Sequence, residues 1–495
     1  MRLSDRVRGI LDGAARVYGS DPAYRHRPEV AAELHRIAAR LGEPIRIALA
    51  GSLKSGKSTL VNALVGETIA PTDATEATRL VTWFRHGPTP RVTANHADGA
   101  RTNVPILRGT DPGGGLSFDI GDDPGHIVDL DVEWPATELI GATVIDTPGT
   151  SSLTPGVSQR TLRLLVPDNR VPRVDAVVFL LRTLNAADIA LLTEIGELVG
   201  GSAGALGVIG VASRADEIGA GRIDAMLSAK DVAARFTKEL ERTGICQAVV
   251  PVAGLLALTA RTLRQSEFAA LQALAGVDAG ELNKALLSAD RFVRDDAGLP
   301  VDAADRAGLL ERFGMFGIRI AIALLRSGVH DAATLADDLL ERSGLVALRE
   351  VIDAGVAQRA DLLKSHTALI ALRRFVEAHP VPAAPRILAD IDPLLADTHA
   401  FEELRLLSQL RSRPTTLNED EIASLRRVLG GSGTDAASRL GLTEEAPDDG
   451  PRAAFAAAQR WRRRAEHPLN DPFTTRACRA GVRSAEALVA QYAGR

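Results

Sequence analysis

The apolar run IRIALA at 45–50 leads without interruption into Gly51-Ser52-Leu53-Lys54-Ser55-Gly56-Lys57-Ser58, and helical spacing follows from Thr59 to Val65. Strand, GxxxxGK(S/T) and helix in that order are what a phosphate-binding loop requires. The loop turns its backbone N–H groups inward and, with the dipole of the helix behind it, cradles a phosphate chain. Lys57 is positioned to reach the β- and γ-phosphates and Ser58 to ligate magnesium. Gly51, Ser52, Leu53, Lys54, Ser55, Gly56, Lys57, Ser58 and Thr59 therefore form the first candidate nucleotide-binding segment.

Such a loop commits the chain to an α/β sheet, and the surrounding residues agree. IRIALA, IVDLDVEW, ATVID, VDAVVFLL, LGVIGVA and AVVPVA are short apolar runs bounded by glycine and polar residues and separated by helical stretches. They predict a mixed, mostly parallel sheet. Asp146-Thr147-Pro148-Gly149 ends the run at 142–145, where a P-loop protein places its second magnesium-organising carboxylate. Asp146 is the candidate metal residue there, and the N–H of Gly149 a candidate sensor of the γ-phosphate. Ser213-Arg214-Ala215-Asp216 follows LGVIGVA, at the place of an (N/T)KxD motif. A carboxylate at Asp216 can accept from guanine N1–H and N2–H, which adenine does not offer, and Arg214 can cover the base with its planar guanidinium. The alternative for Asp216 is a plain helix-capping aspartate. Ser213 is too short to copy every contact of asparagine. No strand ends in Asp-Glu, which argues against an ATPase of the transporter or motor class.

Outside this region the chain reads as helical. Val7, Ile10, Leu11, Ala14, Val17 and Tyr18 share one helical face, and Val30, Leu34, Ile37 and Leu41 repeat it after Pro28. Leu255–Leu274, Glu281–Phe292 and Leu309–Arg326 predict an all-helical insertion at about 260–335. Ser343–Ile352 reads as the closing helix of the nucleotide domain. The expected division is N-terminal helices at 1–43, a nucleotide domain at 44–355 and a C-terminal helical part at 356–495. Leu362, Leu369, Leu372 and Val376 form one C-terminal face, and Cys478, Val482, Ala485, Leu488, Val489 and Tyr492 another. Their simplest partners are the two N-terminal helices, which gives a discontinuous α-helical bundle. A formal net charge of −5 carries no nucleic-acid signal, and two cysteines without CxxC spacing fit a reducing compartment. The N-terminus lacks the apolar core of a secretory signal, and no stretch approaches the roughly 20 clean apolar residues of a membrane span. The chain is expected to be cytoplasmic, with any membrane contact peripheral, on the inner face of the cell membrane.

With these residues in place the chain resembles the dynamin superfamily. PTDATEATRLVT at 71–82 is similar to the first switch of bacterial dynamin-like proteins, and VPVAG at 250–254 to the family's base-contacting loop. The resemblance implies a dynamin-type GTPase domain with a helical neck and trunk, binding GTP or GDP with Mg²⁺ and hydrolysing GTP. It implies that Thr78 closes on magnesium and the γ-phosphate, and that Ala253 and Gly254 touch the base. It further implies self-association through the GTPase domains and work on membranes, whether remodelling or tethering. The other reading is a slow GTP-regulated scaffold, partner to a second dynamin-like protein. Dynamins carry polar residues, typically glutamine then serine, where this chain has Leu53 and Lys54, and the serine helps to hold a monovalent cation. In the related guanylate-binding proteins an arginine at the position of Lys54 acts as an internal finger. Lys54 is thus either a catalytic cation or a solvated loop lysine.

Two segments bear on lipid. Arg460-Trp461-Arg462-Arg463-Arg464 is the one dense basic run, and the preferred reading is a solvated helix face paired with acidic neighbours rather than a seat on anionic headgroups. The turn His379-Pro380-Val381-Pro382 with Ile387–Leu395 could form a bundle tip that touches lipid, or could be core.

Overall fold

The structure is a computed structural model that describes residues 3–71, 80–108, 116–121, 126–149, 173–200, 207–219, 221–241, 246, 248–396, 399–410, 413–442 and 449–493. Its centre is a nine-stranded sheet made of β1 (Ile45–Gly51), β2 (Val81–His86), β3 (Arg91–His96), β4 (Arg101–Asn103), β7 (Ile127–Trp134), β8 (Ala142–Asp146), β9 (Ala176–Leu181), β10 (Val208–Ser213) and β11 (Val249–Val252). β5 (Ile106–Arg108) and β6 (Leu116–Phe118) pair separately as a hairpin. The order is β11-β10-β9-β1-β8-β2-β7-β3-β4. From β11 to β8 all neighbours are parallel, β2 runs antiparallel to β8 and parallel to β7, and β3 and β4 are antiparallel additions. This is the mixed, mostly parallel sheet expected, with β1 near its middle.

β1 is apolar on both faces because both are covered. Ile45, Ile47 and Leu49 share a core with Leu60, Val61, Ala257 and Leu348, from the helices Lys57–Val65, Gly254–Arg261 and Leu345–Gly355. Ala48 and Ala50 face the opposite way, into a core with Leu192, Ile195 and Ala233 from the helices Ala186–Gly200 and Ala225–Glu241. The P-loop helix is also tied at its far end. Gly66 closes it at φ +91 and donates to Asn62 O, the left-handed stop that glycine adopts without strain. Arg261 donates to the free carbonyls of Ala63 and Leu64, and Arg349 to Leu64. Cations on the last turn complement the helix dipole.

The helices Gln265–Ala275, Ala279–Ala285, Ala303–Arg326 and Ala332–Arg342 build a core of their own around Leu271, Phe292, Phe313, Ile318 and Leu335. The stretch read as one helix from Leu255 to Leu274 is two, broken between Arg261 and Gln265. The helix Ala303–Arg326 is itself interrupted at Gly314, which sits at φ 62, ψ 174.

Val7, Leu11, Val30 and Leu34 pack on Leu369, Leu372 and Val376 of the helix Ala360–Ala378, and the Tyr18 hydroxyl donates to His379 O at 2.6 Å. The other expected face goes elsewhere. Cys478, Ala485 and Val482 pack against Leu406, Leu425 and Trp461 within the C-terminal helices, while Leu362 packs against the nucleotide-domain core. Those C-terminal helices are long enough to satisfy one another, so the N-terminal pair is not needed to cover them. Val381, Ile387, Ile391 and Leu394 are buried in the core of the N-terminal helices. Of the two readings offered for this stretch, a lipid-touching tip or core, the burial of these residues fits core. In the basic run Trp461 is fully buried, Arg462 pairs with Glu486 at 2.5 Å and Arg464 with Glu421 at 3.0 Å. That is the paired, solvated face preferred from the sequence. No helix among the described residues is long and apolar enough to cross a membrane.

His366, buried on the helix that joins the bundle to the nucleotide domain, has its pKa lowered to about 4 by burial. A depressed histidine pKa favours the fold while the ring is neutral, and that contribution is lost as pH falls from the unfolded value near 6.5 towards 4. Linkage gives a loss of about 2 kcal/mol by pH 5. Comparing thermal unfolding at pH 7.5 and pH 5 should show a smaller acid shift for His366→Gln than for wild type; equal shifts would remove His366 from this role.

Candidate functional site

β1 delivers the loop to the C-terminal edge of the sheet, where open α/β folds bind their ligands. Gly51 sits at φ +146, and a Cβ there would meet Leu180 O of β9 at 2.6 Å, so glycine is required for the strand to turn. Gly56 at φ +92 caps the helix start. Lys54 is at φ +59, one of only two non-glycine residues with positive φ among those described. Lys57 is buried, and its ammonium donates to Gly51 O at 3.2 Å and Ser52 O at 3.1 Å. Burial holds its pKa below the usual lysine range, opposed by the Asp146 carboxylate. Two neutral carbonyls do not balance a desolvated cation, and a phosphate would.

β8 pairs with β1 so that Asp146 lies beside Leu49. Ser58 Oγ donates to Asp146 Oδ2 at 2.6 Å, while Asp146 Oδ1 is buried with no hydrogen-bond partner among the described residues. Burial raises the pKa of Asp146, with Lys57 and Ser58 pulling it down. A hydroxyl and a carboxylate with an unspent oxygen are the hard donors that magnesium takes, leaving its other positions to phosphates and water. Thr147 fixes the turn by donating its hydroxyl to Leu49 O at 2.8 Å. Gly149 lies against the P-loop so closely that a Cβ would meet Leu53 Cα at 2.7 Å. Thr78 lies outside the described residues. The strand after its segment, β2, sets Thr82 opposite Asp146.

A cleft beside the P-loop, where the sequence reading places the base, is lined by Ser55, Gly56, Thr59, Ser213, Arg214, Asp216, Glu217 and Gly254 over the apolar floor Leu60, Leu180, Val211 and Val252. Ser55 Oγ and Ser213 Oγ are buried without partners among the described residues. Burial raises the pKa of Asp216. Behind its carboxylate stands Gly314, where an added Cβ would lie 3.8 Å from Asp216 Oδ2. Ala253 is not brought to the cleft: its N–H is spent on Ser343 O at 2.9 Å and its side chain belongs to the core of the insertion. Gly254 begins the helix that faces Thr59 and does line the cleft.

Three residues here were not found from the sequence. Glu217 accepts from Arg214 at 2.5 Å and from Arg182 at 3.3 Å, and Gly314 reaches the site from about a hundred residues away. Adjacency to Asp216 could have flagged Glu217; nothing local marks Arg182 or Gly314.

The dynamin family's sequence profile matches residues 47–106. Over its full length the chain is 72% identical to the isoniazid-induced protein IniC of Mycobacterium tuberculosis (strain CDC 1551 / Oshkosh), covering 100% of both chains, and equally so to that of strain ATCC 25618 / H37Rv. A bacterial dynamin-like protein of Nostoc punctiforme is 43% identical over 54 residues, 11% of this chain and 8% of that one. A solved structure of an oligomerised bacterial dynamin pair aligns with 100% of this chain and 75% of its own at 11% identity and a TM-score of 0.30. With identity this high from end to end, the chain belongs to the family of the isoniazid-induced protein IniC, and the dynamin family's profile falls on its P-loop strand and the residues after it.

Proposed function

We propose that the chain binds a guanine nucleotide with magnesium and hydrolyses GTP. The observation that carries this reading is a row of unspent buried polar atoms at the C-terminal ends of the central strands, with Asp146 Oδ1 beside the P-loop strand and Ser55 Oγ and Ser213 Oγ in one cleft. The row lies next to a desolvated Lys57 ammonium that meets only Gly51 O and Ser52 O among the described residues. Buried polar atoms are nearly always partnered, so such a row marks where a polar, anionic ligand belongs. Lys57 and the N–H groups of Gly51–Thr59 hold the phosphates. Ser58 and Asp146 would hold magnesium, which when bound offsets phosphate charge, and Thr78 would join them in the closed switch. Gly149 senses the γ-phosphate, Arg214 covers the base and Asp216 reads its N–H edge.

Guanine selectivity follows from Asp216. Calorimetric titration should show GDP binding without ATP binding, and Asp216→Asn should weaken GDP by about 10-fold to 150-fold, since hydrogen bonds to a charged group contribute about 1.5–3 kcal/mol. ATP binding as tight as GDP binding would sink the base assignment.

The finer proposal is that pairing of nucleotide domains and hydrolysis move the helical segments, in the service of remodelling or tethering a membrane. The second reading, a slow GTP-switched scaffold or partner of another dynamin-like chain, is favoured by the burial of Val381, Ile387 and Ile391, which removes one lipid-touching tip. GTP turnover with and without anionic liposomes separates the two: stimulation supports the first, indifference the second.

A further inference from the structure

Arg182 and Arg214 leave the C-terminal ends of the adjacent parallel strands β9 and β10, whose register sets Leu181 beside Ala212. Between them stands Glu217. Its Oε1 accepts from Arg214 Nη1 at 2.5 Å and its Oε2 from Arg182 Nη2 at 3.3 Å. Arg214 itself is in the left-handed region, φ 52, ψ 42. A non-glycine residue held there is strained and persists only where its surroundings impose it. Here the Glu217 N–H also returns to Arg214 O at 3.0 Å, closing a tight turn. Arg214, Asp216 and Glu217 all line the cleft beside the P-loop.

We propose that Glu217 is a positioning residue for base recognition, which holds the Arg214 guanidinium by its edge so that its face covers the purine. The proposal rests on the guanine-nucleotide reading above. An in-plane bond to a carboxylate consumes guanidinium hydrogens and leaves the π-face open, the arrangement in which arginine stacks on an aromatic ring. Arg182 anchors the other carboxylate oxygen to the neighbouring strand, so the pair does not swing freely. The division of labour is then defined: Asp216 reads guanine by its N–H edge, whereas the Glu217-held Arg214 contributes to any purine by its face.

The test measures GDP, IDP and magnesium pyrophosphate binding to the full chain for wild type, Glu217→Ala, Glu217→Gln, Arg214→Ala and the double alanine variant. IDP keeps the purine face and loses the 2-amino group. Glu217→Ala should weaken GDP and IDP by the same factor, about fivefold to tenfold, with pyrophosphate bound no more weakly than by wild type. The double variant should bind GDP no worse than Arg214→Ala alone, since Glu217 acts through Arg214, and Glu217→Gln should lie between wild type and Glu217→Ala. Unchanged GDP affinity in Glu217→Ala, a matching loss for pyrophosphate, or additive losses in the double variant would each overturn the proposal while leaving the guanine-nucleotide reading intact. A wild-type chain that binds no GDP would overturn both.

Discussion

Lys57→Ala should lose nucleotide binding almost entirely, with a GDP dissociation constant raised by about 30-fold to several thousand-fold, the usual consequence of deleting one partner of a buried, charge-assisted contact. The side chain is buried and its ammonium meets only Gly51 O and Ser52 O as direct acceptors among the described residues. Its pKa is held down by that burial, so the cation is desolvated before any ligand arrives. Phosphate oxygens would supply the compensating charge, and the contact they make is the strongest single one the loop can offer. Removal relieves the cost of the desolvated ammonium but also takes the cation from the buried Asp146 carboxylate, and with the two opposed the melting temperature without ligand should change little. Calorimetry with GDP and magnesium, alongside thermal unfolding, checks both parts. Full GDP binding by a folded Lys57→Ala protein would end the assignment of this loop to phosphate.

Much of this site was legible because its groups lie in short contiguous motifs, each placed at a strand end. The runs at β1, β8, β9, β10 and β11 were equally plain as short, mainly apolar stretches of strands covered on both faces, and β7, IVDLDVEW, by its alternation of apolar and acidic residues. β2 was not read as a strand. VTWFRH carries Arg85 and His86 at one end and begins inside the segment read as a switch, 71–82, so the strand signal merged with the motif. β4, β5 and β6 are three residues each, below the length at which periodicity can be counted. On the side of the sheet beyond β8 only β7 was therefore legible. The partners of the helical faces were also out of reach: an apolar stripe states that something must cover it, and several stripes of similar width can exchange partners on paper. Tertiary packing chose Leu369 and Leu372 for the N-terminal helices and kept Cys478 with Trp461. Ala253 shows the limit on the functional side. A motif position gives the residue, but only the fold tells that its N–H is already bonded to Ser343 O.

Lys54→Ser should slow GTP turnover by about 10³-fold or more while sparing GDP affinity, the effect of losing a preorganised cation at a phosphoryl-transfer site. Charge accumulates on the bridging and γ-oxygens as the bond breaks, so a cation there stabilises the transition state more than the ground state. Lys54 stands at the exposed crest of the P-loop, in the left-handed conformation at φ +59. Its neighbour Leu53 presses its backbone on Gly149, so the crest lies directly against the turn proposed above to sense the γ-phosphate. Leu53, with no polar side-chain atom, cannot orient water or hold a metal ion. An ammonium fixed at the crest would repel a monovalent cation and make it redundant, so exchange of potassium for sodium or choline at constant ionic strength should leave the wild-type rate unchanged. In Lys54→Ser the repulsion is gone and a hydroxyl is supplied, and potassium should recover part of the lost rate. GDP affinity should change little, because the product lacks the γ-phosphate that the lysine would meet. Strong potassium activation of the wild type, or unaltered turnover in Lys54→Ser, would show instead that the lysine is a solvated loop residue and that the transition-state charge is met by other groups.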